Sequence, residues 1–252
     1  MTQESSTRTV SLNEIAAKYT EAIQHLSDLS VFQWAGARSV SEQGYDEIAR
    51  GVPGLPVSPF RLPFEAAKVA AESSALKHSV NEALGLIAVF LEDLRKLSGL
   101  VAFNAAKNNG SSNLATLAAE LNAAPPPDFP GRLQQLRQRM GRPLPLEAEI
   151  LSLVGLARTL FHRNGVVGEN ETLPLKLKMV QPLGEPESAQ AKTEARIADY
   201  ERIWKAGETV TLSRPEHAAV FTTVSLFFNS SLGALQEFAK SSGIVPEPAA
   251  QQ

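Results

Sequence analysis

One histidine of the chain stands in a setting that could support acid–base chemistry. His162 comes at the end of a predicted amphipathic helix over 145–163, and Arg158 precedes it by four residues. Side chains with this spacing project from the same face of a helix, so the guanidinium and the imidazole can reach one ligand. Together they suit the binding of a phosphodiester and proton transfer at its oxygens. The simpler interpretation is that both cations only compensate the negative end of the helix dipole.

Other kinds of chemistry find little support in the sequence. The remaining histidines, His25, His78 and His217, fall within predicted helices without an ionisable cluster, which predicts structural roles. The chain has no cysteine, which excludes disulfides and thiolate sites. Neither metal-ligand spacings, a glycine-rich phosphate loop nor a G-x-S-x-G motif is present. We therefore expect neither a metal nor a cofactor.

The composition is that of a folded protein without a strong overall charge. Of the 252 residues, 43% are hydrophobic, and 24 basic residues against 27 acidic ones give a net charge of −3. Such a balance offers no general attraction to nucleic acid or to an anionic membrane, so any nucleic-acid site must be local. No uninterrupted apolar stretch has the length of a membrane span, and the first residues are polar. We expect a soluble, cytoplasmic protein that does not contact a membrane.

The hydrophobic spacing predicts an all-α fold, a bundle of four to five long helices with short insertions and minimal strand. Capping boxes at Ser11 with Glu14 and at Ser213 with Glu216 mark the starts of the first and last helices. Helices are predicted over 11–32, 39–50, 63–107, 113–123, 131–140, 145–163, 187–205 and 213–240. Extended segments are predicted over 175–179 and 207–212.

The same patterns predict four regions along the chain. Residues 1–10 are expected to be a disordered tail, and 243–252 a loose one. Residues 11–60 are expected to form an N-terminal helical segment and a loop rich in proline and glycine, and 61–242 the helical bundle.

Two segments resemble those of a known family. The string Arg158-Thr159-Leu160-Phe161-His162-Arg163-Asn164-Gly165-Val166-Val167 resembles the signature of the HEPN family (higher eukaryote and prokaryote nucleotide-binding), an arginine followed by a histidine and an N-x-G-x-V-like continuation. The segment 206–213, with the long apolar helix after it, resembles the family's entry to its last helix. The order of helices is also similar, and the resemblance covers residues 62–240.

The resemblance implies an all-helical and usually dimeric protein. Many members are metal-independent endoribonucleases of toxin–antitoxin, antiviral defence or RNA-processing systems, with two motif copies sharing one cleft. It implies that His162 acts as general acid and base, that Arg158 binds the scissile phosphate, and that Arg163 and Asn164 assist. The nucleophile would be the ribose 2′-hydroxyl, and the product a 2′,3′-cyclic phosphate. The expected partners are RNA, a second copy of the chain and a protein such as an antitoxin or a defence subunit.

A second interpretation stays open within the same resemblance. Only three residues separate Arg158 from His162, fewer than is usual in the family, and Thr159 stands where an asparagine is common. Many members have lost catalysis. The alternative is a catalytically inactive HEPN-like module for protein–protein contacts or for nucleotide or RNA binding.

A basic segment offers a separate candidate for RNA binding. Arg132, Arg137, Arg139 and Arg142 lie in 131–142, a stretch without an acidic residue. Such a patch could follow a phosphate backbone. The competing interpretation is an ordinary solvated helix face, with the three apolar side chains Leu133, Leu136 and Met140 packed inward. Lys176 and Lys178 are a weaker candidate for the same role.

Overall fold

The computed structural model describes residues 11–51, 62–108, 110, 113–182 and 195–244. These residues form seven helices and two strands, so the protein is mostly helical, as the hydrophobic spacing predicts. In chain order the elements are α1 (Leu12–Ser39), α2 (Glu42–Gly51), α3 (Phe64–Asn108), α4 (Leu114–Asn122), α5 (Phe129–Met140), α6 (Glu147–His162), β1 (Thr172–Pro182), β2 (Ala195–Lys205) and α7 (Arg214–Ser241).

The chain divides into two compact units. Among the described residues, the first unit takes its members from 11–22, 86–147 and 225–244, and the second from 23–85 and 148–224. The helices α1, α3 and α7 therefore contribute residues to both units. Each unit also combines residues from both sides of position 60, where the sequence suggests a boundary.

The first unit is centred on an aromatic cluster. Tyr19, Phe90, Phe227 and Phe228 are each no more than 2% exposed. The rings of Phe90 and Phe228 lie 4.7 Å apart, and those of Tyr19 and Phe90 lie 5.0 Å apart edge to face. Aromatic pairs at such separations stabilise a core beyond the area they bury. The Tyr19 hydroxyl donates a hydrogen bond to Asp93 over 2.6 Å, so its polar end is also satisfied.

Helix α5 belongs to the first unit and follows its sequence signals closely. The Asp128 side chain accepts a hydrogen bond from the Gly131 amide at the helix start, and Gly141 ends the helix with φ of 73°. Leu133, Leu136 and Met140 are buried, which confirms the prediction that these three side chains pack inward.

The second unit contains an antiparallel hairpin attached to α6. Strands β1 and β2 pair over their whole length, from Thr172 with Lys205 to Pro182 with Ala195. In the first half of β1 every second side chain is buried (Leu173, Leu175 and Leu177), and the Ser152 hydroxyl of α6 accepts a hydrogen bond from the Lys176 amide at 3.0 Å. The serine hydroxyl thus takes the place of the acceptor that a neighbouring strand would offer on the outer edge of β1. The bond holds the helix and the strand side by side.

The hairpin corrects one prediction and extends another. The helix predicted over 187–205 is wrong for Ala195–Lys205, which form β2, while 187–194 lie outside the described residues. The strand predicted over 175–179 is confirmed but reaches eleven residues, so there is more strand than the sequence suggested. Pairing with β1 and burial of Trp204 favour an extended chain where local spacing favoured a helix.

The other predicted helices are present with ends that shift by at most three residues, except that α1 continues to Ser39, seven residues beyond its predicted end at 32. Helix α3 runs through Gly85 and Gly99 as one helix of 45 residues. The predicted tail at 1–10, residues 245–252 of the predicted tail at 243–252, and residues 52–60 of the region predicted to hold the loop rich in proline and glycine lie outside the described residues. By length and composition α7 is apolar enough to cross a membrane, but 61% of its most apolar window is buried inside the protein, which is typical of a core helix.

Candidate functional site

Helix α6 presents Arg158 and His162 to solvent. Its inner face is set by a stripe of buried residues that includes Leu153, Leu156 and Leu160. The two cations fall outside this stripe, and both residues are exposed. Within the described part of the chain, neither side chain forms a hydrogen bond or an ion pair of its own. One helical turn therefore carries a guanidinium and an imidazole that are both open to a ligand.

The chain turns sharply after α6, and backbone hydrogen bonds fix the turn. Asn164 and Gly165 have positive φ values of 51° and 82°, and the Gly165 amide donates to the Thr159 carbonyl at 3.0 Å. Gly165 thus supplies the left-handed helix end that its position in the sequence predicts. The Val210 amide then donates to the Gly165 carbonyl at 2.7 Å, which ties the turn to the segment before α7.

Arg163 is held by an acidic residue across this turn. One guanidinium nitrogen donates to a Glu171 carboxylate oxygen at 2.9 Å, and the second donates to the other oxygen in a shorter contact. The hydrogen bonds from Arg163 lower the pKa of Glu171, and the charge of Arg158 acts in the same direction. The Arg163 guanidinium lies so close to Gly168 that a β-carbon there would overlap it. The positive charge of Arg163 is therefore balanced by the Glu171 carboxylate of the same chain.

A groove runs between α6 and β1 and carries three cations. It encloses about 460 Å³, and Arg158, Arg163 and Lys176 line it together with the Glu171 carboxylate. Leu151, Gly155, Leu173 and Pro174 contribute apolar lining. His162 follows Arg158 by one turn but is not part of the lining. The groove size is typical of ligand sites.

The four arginines of the basic segment are engaged within the first unit. Arg132 donates to the Pro126 and Ala88 carbonyls, and Arg139 to the Arg95 carbonyl at 2.7 Å. Burial and the nearby charge of Arg95 lower the pKa of Arg139.

The remaining two arginines of this segment also have acceptors. Arg137 pairs with Glu147 at 2.6 Å, and Arg142 with Glu237 at 2.6 Å. Glu147 is only 13% exposed, and Arg142 also donates to the Ala234 carbonyl at 2.9 Å. A phosphate would therefore displace these contacts less readily than a freely exposed ion pair, which favours a packing role for the segment.

Of the two lysines of β1, one is paired with carboxylates and the other faces the groove. Lys178 lies between two carboxylates, Glu149 at 3.3 Å and Asp199 in a closer contact, and the Asp199 hydrogen bond raises the pKa of Lys178. Lys176 is exposed and faces the groove. Of the pair, the structure leaves Lys176 as the candidate for an anionic ligand.

Metal binding has no support in the described ranges, since they bring no three histidine, aspartate or glutamate side chains together.

No protein-family model, no curated protein and no solved structure matches this chain.

Sequence reasoning did not single out Glu171 or Gly168. Glu171 lies eight residues after Arg163 in the sequence, beyond the spacing at which a helix brings charges together. The only sequence signal was an acidic residue four positions before the predicted strand at 175–179, on the far side of a turn marked by Asn164 and Gly165. The fold alone shows that this carboxylate shares a groove with Arg158.

Proposed function

We propose that this chain is a HEPN-like protein and that its Arg158 and His162 form one half of a metal-independent endoribonuclease site, shared by two copies in a dimer. The observation that carries the proposal is the exposure of these two side chains one helical turn apart, next to a groove lined by three cations. The similarity of residues 158–167 to the family's signature supplies the chemistry. The proposal includes the bundle of four to five long helices that the sequence suggests.

In this mechanism the RNA supplies its own nucleophile. The ribose 2′-oxygen attacks the adjacent phosphorus while the bond to the 5′-oxygen breaks. One His162 imidazole accepts the 2′-hydroxyl proton, and the imidazolium of the second copy donates a proton to the leaving 5′-oxygen. Arg158 stabilises the negative charge that develops on the phosphate oxygens. The products end in a 2′,3′-cyclic phosphate and a 5′-hydroxyl, and no step requires a metal.

Replacement of His162 tests the proposal directly. We expect wild-type protein to cleave single-stranded RNA in EDTA and His162→Ala to be slower by about 10² to 10⁴, the usual contribution of one general acid–base group. The matched control is His78→Ala, because His78 is also exposed and helical but lies on α3. Equal rates for both variants, or no cleavage by wild type, would contradict the endoribonuclease. Mass spectrometry of the fragments should find cyclic phosphate ends.

The second candidate is a catalytically inactive HEPN-like module that binds RNA, a nucleotide or a partner protein such as an antitoxin or defence subunit. The Arg163–Glu171 ion pair favours it, because a cation that would assist catalysis is already neutralised. In that case His162→Ala should leave ligand affinity and thermal stability unchanged, while Arg158→Ala should weaken RNA or nucleotide binding.

A further inference from the structure

We infer that Glu171 occupies a phosphate-binding position in the groove between α6 and β1, and that a single strand of RNA must displace it to bind there. This inference rests on the proposed function, since it names how the substrate contacts the groove beside Arg158 and His162. Glu171 is thereby a residue of this chain that competes with the ligand.

The Arg163–Glu171 contact has the same chemistry as an arginine–phosphate contact. Both guanidinium end nitrogens of Arg163 donate to the two carboxylate oxygens of Glu171. A phosphate accepts the same paired hydrogen bonds from arginine. Arg158 lines the same groove, and its positive charge also acts on the Glu171 carboxylate. The carboxylate therefore lies where two arginines would otherwise attract a phosphate.

The Arg163–Glu171 ion pair is exposed enough to be displaced. The Arg163 side chain is 35% exposed and that of Glu171 is 54% exposed. Exposed ion pairs of this kind shift an equilibrium by a factor of about five at most. A phosphate that takes the place of the carboxylate therefore costs the complex little. Glu171 can then turn outward into solvent.

The groove is long, and its cations lie at different points along it. Its α6 wall extends from Ala148 to Thr159, twelve residues that span about 16 Å of helix axis. Lys176 is fixed opposite Ser152 by the bond between its amide and the serine hydroxyl, whereas Arg158 lies nearer the end of the helix. The cations are thus spread along the groove, which suits a chain of phosphates better than a single one.

The floor of the groove favours RNA over an acidic peptide. Leu151, Leu173 and Pro174 form apolar lining next to the cations. An unpaired base has a flat apolar face that can lie on such a surface, while the charges hold its phosphates. The carboxylate side chains of an acidic peptide have no flat apolar face, so they gain nothing from this apolar lining.

A double-mutant cycle tests the competition. Binding of a fluorescein-labelled single-stranded RNA is measured by anisotropy at about 0.1 M salt, where distant surface charges are largely screened. Every protein carries His162→Ala so that the RNA stays intact. The variants are Glu171→Gln, Arg163→Ala, both together, and the control Glu169→Gln, which removes a nearby exposed carboxylate that does not line the groove.

We expect Glu171→Gln to lower the Kd by about three- to fivefold. Glu169→Gln should leave it almost unchanged, and most of the gain from Glu171→Gln should disappear when Arg163 is alanine, because Arg163 is the arginine that hydrogen-bonds Glu171. Equal tightening by both glutamine variants, or a gain that survives Arg163→Ala undiminished, would show a general charge effect and overturn the inference. An acidic peptide that displaces RNA at equal concentration would also overturn it.

The outcome for the groove is separable from that for the enzyme. Cleavage is measured on protein with His162 intact. Cleavage without coupling between Glu171 and Arg163 refutes the inference alone. Coupled binding without cleavage supports the groove and refutes the endoribonuclease. Failure of every variant to bind RNA at low salt, together with no cleavage, refutes both.

Discussion

Glu216 is a buried carboxylate that three neighbours hold in its charged form. It is 3% exposed, and it accepts hydrogen bonds from the Tyr200 hydroxyl, the Ser213 amide and the Arg202 guanidinium. Burial alone would raise the pKa of Glu216, but these hydrogen bonds outweigh it and lower the pKa to about 2. The capping box that the sequence predicts at the start of α7 is therefore also the centre of a network that includes β2.

This network predicts a loss of stability in acid. Because the folded pKa of about 2 lies below the usual 4.5, the charged form stabilises the fold fully above pH 4.5, and this contribution disappears as the pH falls towards 2. The difference corresponds to about 3 kcal/mol. Urea unfolding should show this acid loss in the wild type and not in Glu216→Gln, which is already weakened at neutral pH.

The control for this prediction lies on β2. Glu201 is an exposed carboxylate, and Glu201→Gln should keep the acid response of the wild type. If Glu216→Gln lost stability in acid as steeply as the wild type, the network would not be the source of the response.

At the scale of the element, the N-cap residue of α5 contributes a measurable part of the stability of the helix. The Asp128 side chain accepts from the Gly131 amide at 2.7 Å, and this satisfies one of the amides that have no partner inside the helix. Asp128→Ala should reduce the free energy of unfolding by about 1 kcal/mol, whereas Asp128→Asn should retain most of it. Urea midpoints of the two variants check this, and equal losses would contradict the capping role.

The elements also show how far local sequence signals reach. Helices α3, α5, α6 and α7 follow from apolar spacing and caps, because those signals act within a few residues. Strand β2 does not, since its apolar residues fall at spacings of three and four that fit a helix equally well. Its conformation depends on β1, which lies at least thirteen positions earlier in the chain at every pair.

Part of the candidate site can likewise be deduced from local sequence signals, and part of it cannot. The exposure of Arg158 and His162 follows from the face of α6 that they share, and that face can be deduced from the buried stripe alone. The groove cannot be deduced in this way, because Lys176 and Glu171 reach it through the hairpin and the turn after α6. A contact made by a folded-back strand has no local signature in the sequence.

At the scale of the whole molecule, the acidic net charge of −3 makes salt dependence informative. RNA binding releases counterions in proportion to the phosphates neutralised, with a slope of about −0.7 per phosphate for single strands. Three groove cations, Arg158, Arg163 and Lys176, therefore predict a slope of log affinity against log salt of about −2. Participation of the four arginines of the basic segment 131–142 as well would make the slope about −5.

Titrations of single-stranded RNA at several salt concentrations separate the two surfaces. Lys176→Ala should make the slope shallower by about 0.7, because one phosphate contact is lost. Arg137→Ala should leave it unchanged, since Arg137 pairs within the first unit with Glu147, which is only 13% exposed and less free to turn aside than Glu171. The opposite result, a steep slope that Arg137→Ala reduces and Lys176→Ala does not, would move the RNA from the groove to α5. We expect the shallow slope because all four arginines of the basic segment already have acceptors within the first unit.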